Sequence, residues 1–411
     1  MRNGGILVAN GRGASGQPTA YSLAMPASLL ALCFGNFIIG TGSLIVPGML
    51  PVLAEGLEVS LPVAGQLITA FAFTVCVSAP ILAGVTSHID RRKLLVAMQL
   101  LYVLGHLAAA LLSSFEALLA VRVLTSVGAA LFTAQAAGAA ALLVPPERRG
   151  GAIALVFLGW SIASVTGVAL GAYVSATVGW RAGFALVAAL AALGAWLVWR
   201  HVPAGLRVER IDGAMWRQIL GYRLLLLTVG VTFLQSMPQF VLISYIVPAL
   251  IAFVAATPAM VGVIMAGFGL TGVLGNVLCA RFIDRLGPQN VVLMAIVSMT
   301  ASHLVWPWTV GALPLLALAL FLWGIGSFSA QSAQQARLSA LAPQLATVSI
   351  AMNSSALYLG QAVGTGIGGL MLAAAPGVPG YRSLVLVSVP VFLSAVALSL
   401  FVSRKAATTR A

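Results

Sequence analysis

The chain has 411 residues, of which 61% are hydrophobic and only 7% charged, with a formal net charge of +13; an ordinary soluble protein carries roughly a quarter charged residues. That balance excludes a soluble domain of this size. It does not point to nucleic acid either, because the basic residues lie in short clusters between long apolar runs, where they set membrane sidedness. Crossing a bilayer as a helix takes about 20 apolar residues. The runs here are continuous and rich in Ala, Leu and Gly, without the alternation that barrel strands need. The fold class is therefore all-α: a polytopic membrane protein with 12 transmembrane helices.

In chain order, residues 1–26 hold Arg2 and Arg12 among glycines and read as an N-terminal tail. Spans follow near 27–51, 62–87, 94–113, 117–143, 151–176 and 182–200, forming a first six-helix bundle over 27–200. The longest polar connection, 201–222, carries Arg207, Glu209, Arg210, Asp212 and Arg217 and reads as a linker. A second bundle over 223–403 has spans near 223–249, 258–281, 290–309, 314–341, 346–374 and 383–403, and residues 404–411 form a tail. All the lysines and arginines except Arg122, Arg181 and Arg382 fall on the side that holds both termini. The positive-inside rule makes that side cytoplasmic.

Three short matches argue that the halves are repeats. Ile89-Asp90-Arg91 recurs as Ile283-Asp284-Arg285, Pro62 as Pro258, and Gly179-Trp180-Arg181 as Gly380-Tyr381-Arg382. They occur in order and at equivalent topological places, as expected of two parallel six-span repeats used for alternating access.

With these residues the chain resembles the major facilitator superfamily, and within it the twelve-span drug/proton antiporter branch that includes bacterial sugar, purine and chloramphenicol exporters. The marks are Gly40-Thr41 with Leu50-Pro51, Ala64-Gly65-Gln66-Leu67, Asp90-Arg91-Arg92-Lys93, Arg122 with Gly128, Pro145-Pro146-Glu147-Arg148-Arg149-Gly150, Gly167-Val168-Ala169-Leu170-Gly171 and Asp284-Arg285-Leu286-Gly287. The resemblance implies the major facilitator fold in two pseudo-repeats and a secondary transporter, with export as its direction and protons as its coupling ion. The departures bear on coupling. Gly42-Ser43 stands where the branch commonly carries a carboxylate, Ser87-His88 where the loop signature usually opens on Asp, and Gly167-Val168 where the antiporter motif reads Gly-Pro.

Buried charge is costly in a bilayer, so an intramembrane ionisable group is a functional suspect. All eight acids, Glu55, Glu58, Asp90, Glu116, Glu147, Glu209, Asp212 and Asp284, fall in loops or at span ends. Arg122 lies inside span 4, where it either snorkels to the interface or faces substrate and a proton site. Arg cannot change charge near neutral pH but histidine can, so among the proton-coupling candidates His106, His303 and Arg122 the two histidines would carry the proton and Arg122 would tune a neighbouring proton site. The two histidines sit at similar depth in spans 3 and 9, with packing as the alternative role. The superfamily lines its central cavity with spans 1, 4, 7 and 10, aided by 5 and 11. On that pattern the substrate-binding candidates are Asn36, Thr41, Ser43, Arg122, Gln135, Trp160, Gln235, Gln239, Trp323, Gln331, Asn353 and Tyr358. Such amides, hydroxyls and rings suit a small neutral or weakly charged solute, such as a sugar, nucleobase or antibiotic, although the same residue types also act as glue between helices. Asp90, Arg91, Asp284 and Arg285 are candidates for a cytoplasmic gate, with topology as the alternative role.

No nucleophile, base and orienting acid assemble, so an enzyme is not expected. Cys33, Cys76 and Cys279 lack metal-ligand spacing; no metal or cofactor is expected. The expected partners are a small-molecule substrate, the lipid bilayer and protons, without nucleic acid, and the chain is expected to be a monomer in a cell membrane of the bacterial inner-membrane type. An uncoupled facilitator is the alternative that the missing span-1 acid favours.

Overall fold

The structure is a computed structural model that describes residues 21–86, 88–145, 148–207, 217, 218 and 220–410. The tail before Tyr21, Ser87 of the first loop signature, Pro146 and Glu147, and the linker stretch 208–216 with Glu209, Arg210 and Asp212 lie outside the described residues.

Helices α1 (Tyr21–Gly56), α2 (Leu61–Val85), α3 (Arg91–Leu111), α4 (Phe115–Leu142), α5 (Arg149–Thr177) and α6 (Trp180–His201) make the first half. The second comprises α7 (Arg223–Ile243), α8 (Ile246–Val254), α9 (Pro258–Leu286), α10 (Pro288–Val305), α11 (Leu313–Leu341), α12 (Ala346–Ala374), α13 (Val378–Ser383) and α14 (Val385–Arg410). Twelve segments are long and apolar enough to span a bilayer, so both ends of the described chain lie on one face, called here the terminal face; the other is the distal face. Among the described residues there is no strand, as expected where backbone groups must be satisfied without water. Helix starts are marked locally: Ser114 Oγ accepts from the Ala117 amide at 3.3 Å and Thr257 Oγ1 from the Met260 amide at 3.3 Å, while Pro258 and Pro288 occupy first-turn positions that have no amide to lose.

Several boundaries differ from the sequence reading: the first helix is described from Tyr21 and runs on to Gly56, the last continues to Arg410 through most of the expected tail 404–411, and the seventh span is interrupted at Ser244-Tyr245, giving α7 and α8. The interruption has a local compensation. Ser244 Oγ and Thr365 Oγ1 share a 2.7 Å hydrogen bond, and Tyr245 Oη donates to the Thr365 carbonyl at 3.1 Å, so α12 holds the break.

Glycines set the closest helix contacts, because small residues let backbones approach when lipid offers no hydrophobic driving force. A Cβ on Gly159 of α5 would lie 2.0 Å from the Cys33 carbonyl oxygen of α1, and one on Gly171 would lie 2.3 Å from that of Ile45. The second half repeats this: a Cβ on Gly364 of α12 would meet the Met237 carbonyl of α7 at 2.1 Å, and one on Gly368 that of Val241 at 2.6 Å. The repeat extends to the distal corners. Arg181 donates to the Leu112 carbonyl at 3.4 Å, tying the start of α6 to the end of α3, and Arg382 donates to the Pro307 carbonyl at 2.9 Å, tying α13 to the turn after α10. Arg337 is a buried clamp near the terminal face, donating to Ser399 Oγ at 3.0 Å, the Ser399 carbonyl at 3.1 Å and Ser403 Oγ at 3.1 Å on α14.

The halves meet along α2 with α12 and α5 with α9, and at the distal side where α1 touches α8. There Tyr245 fills a socket between halves: a Cβ on Gly65 of α2 would lie 2.3 Å from its Oη, and one on Gly369 of α12 would lie 2.6 Å from it. By contrast α4 and α11 make no extended contact among the described residues. The halves are in contact at the distal side.

Candidate functional site

Two buried polar clusters stand at repeat-equivalent places. In the first half, Arg122 on α4 is only 2% exposed and points into the bundle instead of snorkelling to the interface. One guanidinium nitrogen donates to the Gly42 carbonyl of α1 at 3.0 Å, and the group lies 4.5 Å from the Phe71 ring centroid of α2, a cation–π arrangement. Its Nε and Nη2 are buried without a hydrogen-bond partner. Tyr102 and His106 of α3 sit one turn apart and face this group. Tyr102 Oη donates to the Ile39 carbonyl at 3.2 Å, which also accepts from Ser43 Oγ at 2.7 Å. His106 Nδ1 meets the Tyr102 carbonyl at 2.8 Å, and its ring stands 4.2 Å from that of Tyr102. A carbonyl at Nδ1 requires the proton there, so Nε2 is an acceptor, and it is buried without a partner. Thr41 Oγ1 is likewise buried and unpartnered.

In the second half, His303 on α10 holds the Met299 carbonyl at 3.0 Å through Nδ1 and leaves Nε2 buried without a hydrogen bond. Its ring packs edge-on against Trp323 of α11 at 4.8 Å and Phe392 of α14 at 4.9 Å. Trp323 Nε1 donates to Gln239 Oε1 of α7 at 3.2 Å, and Gln239 Nε2 donates to the Gln235 carbonyl at 2.9 Å. Gln235 Oε1 is buried and unpartnered. His106 and His303 thus share one geometry in two different surroundings, a cation beside the first and an indole beside the second.

The remaining sequence candidates divide by how their polar groups are used. Asn36 is fully buried, donating to the Val156 carbonyl of α5 at 3.1 Å and accepting from Thr133 of α4 at 2.9 Å. Asn353 of α12 accepts from Thr232 of α7, with its Nδ2 unpartnered. These two bridge helices within a half. Gln331, Trp160 and Tyr358 are half-buried, with Gln331 Oε1 unpartnered, and Gln135 is buried on α4. A cavity of about 380 Å³ between the distal parts of α9 and α11 is lined by apolar side chains. Its one hydroxyl, Thr271 Oγ1, donates to the Phe268 carbonyl of its own helix at 2.7 Å, so nothing there orients a polar solute. Sequence reasoning did not single out Tyr102 or Phe71. The position of Tyr102 four residues before His106 was the available signal, since such residues share a helix face.

The four gate candidates do not come together. Asp90 caps α3, accepting from the Lys93 amide at 3.1 Å through Oδ1, and accepts from the Gly205 amide through Oδ2. The Arg91 amide donates to the Leu206 carbonyl at 2.9 Å, so this motif ties α3 to the chain leaving α6. Asp284 and Arg285 are exposed at the end of α9. Partial burial works against the Asp90 carboxylate, but the amides of Lys93, Gly205 and Arg92 outweigh it and hold the carboxyl below its ordinary range. A depressed carboxyl stabilises the fold above its unfolded-state pKa and loses that contribution as pH falls through the lower folded value. We therefore expect Asp90→Ala to raise amide exchange at Gly205 roughly fivefold at neutral pH, with the difference from wild type vanishing below the usual carboxylate range. Exchange followed by mass spectrometry checks both arms.

The profile of the Major Facilitator Superfamily matches residues 32–250 and 229–411. The chain is 31% identical over 352 residues to the Escherichia coli (strain K12) protein "Inner membrane transport protein YdhP", covering 85% of this chain and 90% of that one. It is 25% identical to a "Probable sugar efflux transporter" of Mannheimia succiniciproducens over 83% of this chain and 85% of the relative. Among solved structures, a bacterial homologue of the human lysosomal transporter Spinster, inward-facing and unoccupied, superposes with a TM-score of 0.76 at 18% identity, covering 95% of this chain and 98% of that one. A D-xylose-proton symporter superposes at 0.75 and 16% identity, over 93% and 97% of the two chains. The profile spans both halves and the relative matches over most of its length, so the chain belongs to the Major Facilitator Superfamily.

Proposed function

We propose that this transporter is a secondary exporter that moves a small polar or aromatic solute, neutral or weakly charged, across the bacterial inner membrane by alternating access, with the terminal face cytoplasmic. The observation that carries the reading is the contact between repeats on the distal side, where Tyr245 is seated between α2 and α12, while α4 and α11 make no extended contact among the described residues. Contact between two repeats at one face is what one end state of a rocking carrier requires. Export and a sugar-like solute are supported by the similarity to the relative named "Probable sugar efflux transporter", and sidedness by the clustering of basic residues on the terminal face.

For coupling, His106 and His303 are the proton carriers in this reading, each buried with an unpartnered Nε2. A second reading, an uncoupled facilitator, is favoured by the lack of a carboxylate after Gly40-Thr41. Efflux and uptake in proteoliposomes with an imposed pH gradient, across sugars, nucleobases and antibiotics, separate the two. Gradient-driven accumulation is expected in the wild type, falling at least about tenfold in the His106→Gln, His303→Gln double variant. Accumulation that survives both substitutions removes the histidines from coupling, and equilibration without accumulation selects the facilitator.

A further inference from the structure

Every described acid of this chain sits at a helix end or in a connection, yet Arg122 is a cation at 2% exposure in the middle of a bundle. Among the described residues no carboxylate faces it. Its hydrogen-bond partner is the Gly42 carbonyl, its flat face rests on Phe71, and Nε and Nη2 are buried donors without acceptors. A charge held this way is costly unless an opposite charge compensates it. A guanidinium with an unused Nε/Nη2 edge presents two parallel N–H groups, the arrangement that takes a carboxylate in a fork or a small anion between the prongs. The neighbouring Tyr102 hydroxyl, now given to the Ile39 carbonyl, can rotate to add a third donor.

We propose that Arg122, with Tyr102 beside it, forms an internal binding site for a small monoanion, either the carboxylate of the transported solute or inorganic chloride. The proposal rests on the carrier reading and narrows its solute class, because a negatively charged group supplies the counter-charge that the described residues do not place beside Arg122. The anion enters as the repeats rock and the packing of α1, α2 and α4 around the guanidinium loosens. An aliphatic ammonium in place of the guanidinium keeps the charge and loses the fork.

The test is unfolding temperature of the full chain in detergent at constant ionic strength, as sodium isethionate is replaced by sodium chloride in one series and sodium benzoate in another. A ligand that binds only the folded state raises that temperature saturably. We expect a saturable rise in the wild type, an apparent affinity weaker by about tenfold in Arg122→Lys, and no saturable rise in Arg122→Gln. A rise with chloride alone identifies a halide site, with benzoate alone a carboxylate site, and with both a general monoanion site. No saturable rise in the wild type with either salt overturns the proposal, as does an Arg122→Gln response equal to wild type. If Arg122→Gln does not fold, unchanged affinity in Arg122→Lys overturns it instead. Binding is read without flux, so a carrier that moves solutes but binds neither anion refutes only this proposal, and anion binding in a protein that moves nothing refutes only the transport reading.

Discussion

Gly159→Val is expected to abolish accumulation of folded protein, the largest structural effect of any single substitution considered. The Cβ alone would lie 2.0 Å from the Cys33 carbonyl oxygen, 2.8 Å from the Phe37 amide nitrogen and 3.0 Å from the Cys33 carbonyl carbon. All three are backbone atoms of α1, so no rotamer change relieves the clash and the helices must separate. Overpacking commonly costs 1–3 kcal/mol where side chains can move; with backbone on the far side, we expect at least about 3 kcal/mol. The separation also strains the bridge of Asn36 to the Val156 carbonyl, which spans the same helix pair. Gly151→Ala, at a glycine on the same helix with nothing within 4 Å of the added carbon, is the control. It is expected to fold normally and to gain up to about 1 kcal/mol in helix propensity. Size-exclusion profiles and unfolding temperatures in detergent compare the two, and a well-folded Gly159→Val would refute the account of α1–α5 packing.

Gly65→Val is expected to do the opposite, leaving the fold intact and removing transport. The added Cβ would lie 2.3 Å from Tyr245 Oη and 2.9 Å from its Cζ. Tyr245 cannot simply swing away, being 1% exposed, bonded to the Thr365 carbonyl, and flanked by Gly368 and Gly369. The clash exists only where the distal ends of the repeats touch. It therefore raises the free energy of the distally closed state and not of a distally open one, which is the differential effect a population shift requires. A penalty of about 2 kcal/mol moves the equilibrium by about 30-fold. Spin labels at Pro145→Cys and Pro343→Cys, both exposed on the terminal face, measure the separation of the repeats there, with Cys33, Cys76 and Cys279 replaced. In Gly65→Val the short-distance population is expected to dominate and solute flux to fall more than about tenfold; adding Tyr245→Ala is expected to restore the long distances. Unchanged distances in Gly65→Val mean that Tyr245 is not a latch.

The two substitutions explain why some features could be read from the chain and others could not. Helical spacing in the sequence puts Gly159, Gly167 and Gly171 near one face of span 5. What each glycine faces is a property of the partner helix, whether carbonyls of α1 for Gly159 or a tyrosine from the other half for Gly65. Sequence spacing carries no information about that partner. Asn36 shows the same limit: its type and depth were compatible with cavity or glue, and the structure gives both ends of its amide to α4 and α5.

The amino-acid sequence by itself determined the membrane class, the twelve spans, the two-repeat organisation and the clustering of charge on one face, because these depend on transfer of side chains between water and lipid and on local periodicity. It also showed that no acid accompanies Arg122 along the spans. Only the tertiary structure decided where that cation points, that Tyr102 and His106 share its surroundings while Trp323 stands beside His303, that Asp90 ties α3 to the chain leaving α6, and that Tyr245 sits between the halves. Those outcomes come from the packing of helices distant in sequence, where the close approach of a few atoms selects one arrangement among several that the apolar pattern allows equally.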